Sequence, residues 1–228
     1  MLLAVLLQIQ SGTAEVVAPA AEQSISMLSM LMKGGYLMIP ILFFSVAAVA
    51  IFTERYLYIR KAGFLDKNML ESIKDKMKEG KLEDAKTLCS RTPGAIARVF
   101  EKALTRLGSP VRDIESIMEN MSNIEVSRME KNLGLLAAIA SIAPMIGFLG
   151  TVVGMIRSFY NISIANDISI GIIAGGIYEK MITSASGLVV GVLAYIMYTY
   201  LNHKIDLVIA DMEDSSIDFL DTLYKPVN

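Results

Sequence analysis

Residues 133–156 read LGLLAAIASIAPMIGFLGTVVGMI, without one charged side chain. As a helix rising ~1.5 Å per residue, this run is long enough to cross a ~30 Å hydrocarbon core. A second uncharged run, residues 181–201 (MITSASGLVVGVLAYIMYTYL), has a carboxylate, Glu179, at its mouth. Both runs keep hydroxyls among their apolar residues: Thr151 in the first, Thr183 and Ser184 in the second. Polar groups inside a membrane span line a pathway or a helix–helix contact, because lipid offers them no partner. The pattern points to transport.

Working outward, a third uncharged run covers residues 36–52, with Pro40 in its first turn, where a missing N–H costs little. Glu54, Arg55, Arg60 and Lys61 stop it; Arg128 and Lys131 precede the run at 133, and His203 and Lys204 follow the one ending at 201. These flanks put the basic residues on one side, which the positive-inside rule assigns to the cytoplasm. The expected order is an external N-terminal segment (1–33), a first span (34–53), a cytoplasmic insert (54–131) and a second span (132–157). A short external connection (158–175), a third span (176–201) and a cytoplasmic C-terminal helix (202–228) complete it. Composition agrees, with 54% hydrophobic and only 19% charged residues. The net charge is -2, and the basic residues of the insert alternate with carboxylates, as in ESIKDK at 71–76. That is a solvated helical face and excludes a nucleic-acid partner. The single cysteine, Cys89, rules out an internal disulfide and reads as a core position.

The insert carries helical periodicity. Met69, Ile73 and Met77, then Leu82, Ala85, Leu88 and Cys89, recur at helical spacing around a break at Gly80. Ile96, Val99, Phe100, Ala103 and Leu107 continue after Pro93-Gly94. Ile114, Ile117, Met121 and Ile124 start another stripe, which predicts one unbroken helix over 111–158. Ile205, Val208, Met212, Phe219 and Leu223 extend the third span as an apolar stripe. The fold class is all-α, with long helices leaving the membrane into a cytoplasmic helical bundle. The N-terminal MLLAVLLQIQ reads as a signal-like core, with residues 18–21 as cleavage region, or as an interfacial helix; either leaves the N-terminus outside.

Two segments carry a family resemblance: residues 141–159, SIAPMIGFLGTVVGMIRSF, and residues 176–188, GIYEKMITSASGL. They resemble the signatures of the MotA/TolQ/ExbB proton channel family, closest to its ExbB/TolQ branch. The resemblance implies a proton pathway. Thr151 falls on the family's pore-lining threonine of the second span, and Glu179 on its acidic residue at the start of the third. Ser184 stands where the family commonly has a second pore threonine, so a hydroxyl one methyl smaller takes that place. Thr183 shares a helix face with Glu179, four residues away, and Ser184 is rotated by about 100° from it. Both hydroxyls remain candidates. The resemblance also implies a five-subunit homo-oligomeric ring in the inner membrane of a Gram-negative bacterium. Its partners would be an ExbD/TolR-type single-span protein, whose helix carries an aspartate inside the ring, and a TonB-type protein for outer-membrane import. A TolQ-like role in envelope integrity is the alternative, as is a non-conducting membrane scaffold.

The residues themselves support a ring. Three helices cannot enclose an aqueous path, so several subunits and membrane lipid must surround it. Threonine and serine can position a proton but cannot carry one as charge. No Ser/His or paired-carboxylate arrangement, metal spacing or phosphate loop marks the insert, so the expectation is no enzyme, no cofactor and no metal. Gly150 and Gly154, and Gly187 and Gly191, have the spacing of close helix packing. Pro144 reads as a tolerated kink and His203 as a side chain reaching the inner interface.

Overall fold

A computed structural model describes residues 35–64, 67–164 and 170–224, and its regular elements are all helices. The expected external segment 1–33 lies outside the described residues. The helices are α1 (Met38–Ala62), α2 (Lys67–Lys78), α3 (Leu82–Arg91), α4 (Ala95–Leu104), α5 (Val111–Glu130), α6 (Leu133–Ile164) and α7 (Ile170–Tyr224). Three stretches are long and apolar enough to cross a membrane: Met38–Ala62, Val111–Ile164 and Ala174–Leu223.

α1 starts with the Met38 N–H donating to the Gly35 carbonyl at 3.1 Å, so Pro40 sits in the first turn, where its missing N–H leaves no gap. It ends at Gly63, whose N–H donates to Ile59 O at 2.8 Å, with Arg60 and Lys61 in the last turn suited to the helix dipole.

The unbroken helix expected over 111–158 is two helices. Lys131 turns extended (ψ 132°) and Asn132 takes a left-handed φ of 65°, which asparagine tolerates better than most residues. The Asn132 carbonyl then accepts the N–H groups of Leu135 and Leu136 at 3.1 and 3.4 Å and starts α6. At its far end α6 runs to Ile164, and α7 begins at Ile170, so helix enters from both sides the stretch read as connection 158–175. The helix after Pro93-Gly94 stops at Leu104, before Leu107.

α6 and α7 pack antiparallel along a seam of small residues. Gly191 lies by Pro144, Gly187 by Gly147, Thr183 by Gly150, Lys180 by Gly154 and Gly176 by Ser158. Each step is three or four residues, so one face of each helix forms the contact. α1 packs on both.

The remaining helices build a bundle on the second half of α7. Ile73, Ala85, Cys89, Val99, Phe100, Ile114, Met118, Met212 and Phe219 are buried together, and the Phe100 and Phe219 rings stack with centroids 4.9 Å apart. Two positions leave the expected stripes: Leu82 is exposed, and so is Ile124. On α5 the buried positions after Met118 are Glu125 and Met129. The stripe turned because a carboxylate, held by arginines, took the inward place.

Candidate functional site: the α6–α7 seam

Thr151 is half-buried on α6, one residue past Gly150. Its hydroxyl donates to the Phe148 carbonyl at 2.7 Å, the local bond expected of a threonine in an apolar helix. The oxygen keeps its acceptor capacity. Thr183 is fully buried in the seam, where a methyl built on Gly150 would stand 3.0 Å from Thr183 Cγ2. Ser184 is half-buried, and its backbone faces Gly147. The two hydroxyls left open by the sequence therefore differ: Thr183 is interior to the helix pair and Ser184 lies at its margin. Glu179 falls within the α7 helix, but its side chain lies outside what the structure describes.

The glycines serve different neighbours. A methyl at Gly187 would lie 2.6 Å from the Ala143 carbonyl and 2.9 Å from Gly147 Cα, so two backbones meet there. At Gly191 it would overlap the Pro144 ring and stand 2.9 Å from the Ala140 carbonyl, the acceptor that Pro144 leaves without its helical N–H. Gly150 makes room for Thr183, and Gly154 for the aliphatic stem of Lys180. Gly147 and Lys180 were missed by sequence reasoning. Gly147 was legible as the residue three before Gly150 on the same face; nothing in the spacing announced that Lys180 would lie across Gly154. A cavity of about 250 Å³ at this end is lined by Tyr36, Leu37, Arg157, Lys180 and Thr183.

At the opposite end the spans stop in aromatic and ionic contacts. Phe52, Tyr56 and Tyr200 form a triangle with centroids 6.0 to 6.3 Å apart. His203 is exposed one turn below. Nearby, Glu125 is fully buried and accepts Arg98 Nε at 2.9 Å, Arg98 Nη2 at 2.5 Å and Arg128 Nη1 at 2.6 Å. Arg55, buried two turns before the end of α1, donates to the Arg128 carbonyl at 3.2 Å and pairs with Glu54. The hydrogen bonds to Glu125 push the Arg98 guanidinium up from its ordinary value. This cluster ties α1, α4 and α5 together, and charge alternation on the sequence gave no hint that one carboxylate would turn inward. Among the described residues no group of three or more His, Cys, Asp or Glu could hold a metal ion.

Described residues whose regular elements are all helices, three of them apolar and bilayer-length and two of these zipped by small residues around hydroxyls, define a polytopic membrane protein. The chain belongs to the MotA/TolQ/ExbB proton channel family, whose model matches residues 91–214. An ExbB homolog of Methanothermobacter thermautotrophicus is 27% identical over 188 residues, covering 79% of this chain and 64% of that protein. The biopolymer transport protein ExbB of Neisseria gonorrhoeae is 32% identical over 102 residues, 45% of this chain and 46% of its own. The Tol-Pal system protein TolQ of Haemophilus influenzae is 29% identical over 120 residues, 51% and 53% of the two chains. The chain thus spans 46% to 64% of these relatives' lengths. The names place it in the ExbB/TolQ branch to which its two signature segments pointed.

Proposed function

We propose that this chain is the ring-forming subunit of an inner-membrane proton channel that works as a motor and not as an enzyme. Five copies would surround the membrane helix of an ExbD/TolR-type partner and let protons flow inward past Thr151 and Ser184. Glu179 would set the charge at the outer mouth. The flow moves the partner relative to the ring, and a TonB-type protein delivers the work to outer-membrane import. The basic ends of the spans, together with the Phe52–Tyr56–Tyr200 belt, favour a periplasmic N-terminus and a cytoplasmic C-terminus.

The observation that carries this reading is the unequal finish of the two faces of α6 and α7. Their seam is closed to backbone contact, yet Met145, Phe148, Val189 and Tyr195 on other faces are each 59% exposed or more. Such surface in a three-span chain suits neighbouring subunits and lipid. Thr183 lies inside the subunit's own seam, which favours Ser184 as the hydroxyl that meets the partner. No acid stands among the described residues of the spans' middle turns, so a stepwise relay needs the partner's carboxylate.

Proton flux into proteoliposomes, measured with and without an ExbD-type partner, tests the reading. Flux is expected only with both proteins. Large flux from this chain alone, or none with the partner that co-purifies with it, would refute it. The TolQ relative keeps an envelope-integrity role as a second reading. Deleting the gene separates the two: loss of energised uptake marks the first, and detergent sensitivity with intact uptake marks the second.

A further inference from the structure

We propose that the groove between the inner end of α1 and the α3–α4 loop binds a phosphate group. The groove holds about 490 Å³, and Tyr58, Lys61, Arg91, Thr92 and Arg98 line it. Among the described residues its one lining carboxylate is Glu101, and Arg98 already pairs with Glu125, so Lys61 and Arg91 leave an excess of one positive charge. A phosphate group, at least singly negative, matches that excess.

The site is built and not merely charged. The α3–α4 loop is docked on the end of α1 and the residues just past it through Gly94 (φ 139°), where a methyl would lie 2.6 Å from the Phe64 carbonyl and 3.6 Å from the Ala62 carbonyl. Arg98 is held by Glu125 through Nε and Nη2, which leaves Nη1, on the far edge of the guanidinium, to donate elsewhere. Lys61 and Arg91 form no ion pair among the described residues. The Thr92 hydroxyl already donates to Leu88 O at 2.9 Å, so the donors available to an anion are Lys61, Arg91, Arg98 and the Tyr58 hydroxyl. An anion bridging them would clamp α1 to α3 and α4. The groove lies within two helical turns of the Phe52–Tyr56–Tyr200 belt, within reach of either a lipid headgroup phosphate or a free one.

The test uses full-length protein in nanodiscs. Inorganic phosphate is titrated into protein in phosphatidylcholine discs, and melting is compared between those discs and discs containing phosphatidic acid. Saturable binding of phosphate supports a free ligand; stabilisation by phosphatidic acid alone supports a lipid headgroup. Either effect should weaken roughly tenfold or more in K61Q/R91Q, which removes two charge-assisted donors from exposed positions. K102Q/R106Q, which neutralises exposed cations outside the groove, should leave it unchanged. The proposal is overturned if phosphate shows no saturable binding and phosphatidic acid no stabilisation, if K61Q/R91Q behaves as the parent does, or if K102Q/R106Q loses as much.

Discussion

The α6–α7 seam and the bundle on the tail of α7 are packed by opposite rules. In the bundle, large side chains go inside: Phe100 against Phe219, with Ile73, Ile114 and Met118 fully enclosed. In the seam, small residues go inside, Gly187 against Gly147 and Ala143, while Phe148, Val189 and Tyr195 face out. Water accounts for the first arrangement, since burying one large apolar side chain contributes about 1.5–3 kcal/mol. Lipid removes that drive, because a hydrocarbon tail is as apolar as leucine, and backbone proximity then decides which residues meet. One continuous helix, α7, obeys both rules in its two halves.

The largest expected effect lies in the seam. Gly187→Val places side-chain atoms against the Ala143 carbonyl and the Gly147 backbone, and neither can step aside as a flexible side chain would. The variant should fail to assemble, read as loss of the oligomer in size-exclusion chromatography from mild detergent. Gly134→Val, at a glycine with open space around it, should assemble normally. Equal behaviour of the two would break the contrast drawn here.

Next is Glu125→Ala, which strips the buried carboxylate from Arg98 and Arg128. The arginines left behind are 37% and 52% exposed and can turn to water, so the cost is the lost charge-assisted hydrogen bonding, about 1.5–3 kcal/mol. Denaturant unfolding should show that loss, and proteolysis should cut first between α4 and α5. Parent-like stability would mean that the bundle is held by its apolar core alone.

A smaller effect comes from Cys89. Burial, and then the Glu101 carboxylate, push its thiol from 9.0 up to about 12. Between those values the unfolded chain releases the proton and the folded chain keeps it, so this contribution is whole below pH 9 and is lost as pH rises above it. By pH 10 the loss should reach roughly 1 kcal/mol, at 1.36 kcal/mol per pH unit beyond the unfolded value. It should be absent in Cys89→Ala. Maleimide should label the native protein far more slowly than the denatured one; fast native labelling would contradict the enclosed thiol.

Much of this was legible because each rule leaves its own mark in sequence. Uncharged runs gave the three spans, and the positions of Ile73, Phe100, Met212 and Phe219 in the core followed from helical spacing. The break at Lys131–Asn132 was not legible, since a single left-handed residue leaves the periodicity on both sides intact. The inward Glu125 escaped for another reason: hydropathy scores a paired carboxylate as solvent-facing, and its arginines come from different helices. In the seam the glycines stood out, but not what each one meets. Gly154 accommodates Lys180 and Gly150 accommodates Thr183, which depends on the antiparallel register and not on spacing within either helix.

The smallest structural effect is also the sharpest functional one, and it concerns the two adjacent hydroxyls. Valine matches threonine in shape, so Thr183→Val keeps the contact with Gly150 and loses only hydrogen bonding, worth about 1 kcal/mol. Melting should drop slightly and proton flux should persist. Ser184→Val sits at the seam's margin, half-buried with its backbone against Gly147, and stability should change by no more than about 1 kcal/mol. On the proposed mechanism flux should nevertheless be lost, because the hydroxyl that would face the partner's acid is gone, and Ser184→Thr should restore it. Size cannot explain such a result, since threonine and valine fill the same space. If instead Thr183→Val abolishes flux and Ser184→Val conducts, the pathway runs through the seam itself, and the residue that the bundle's rule would call mere packing is the one that handles the proton.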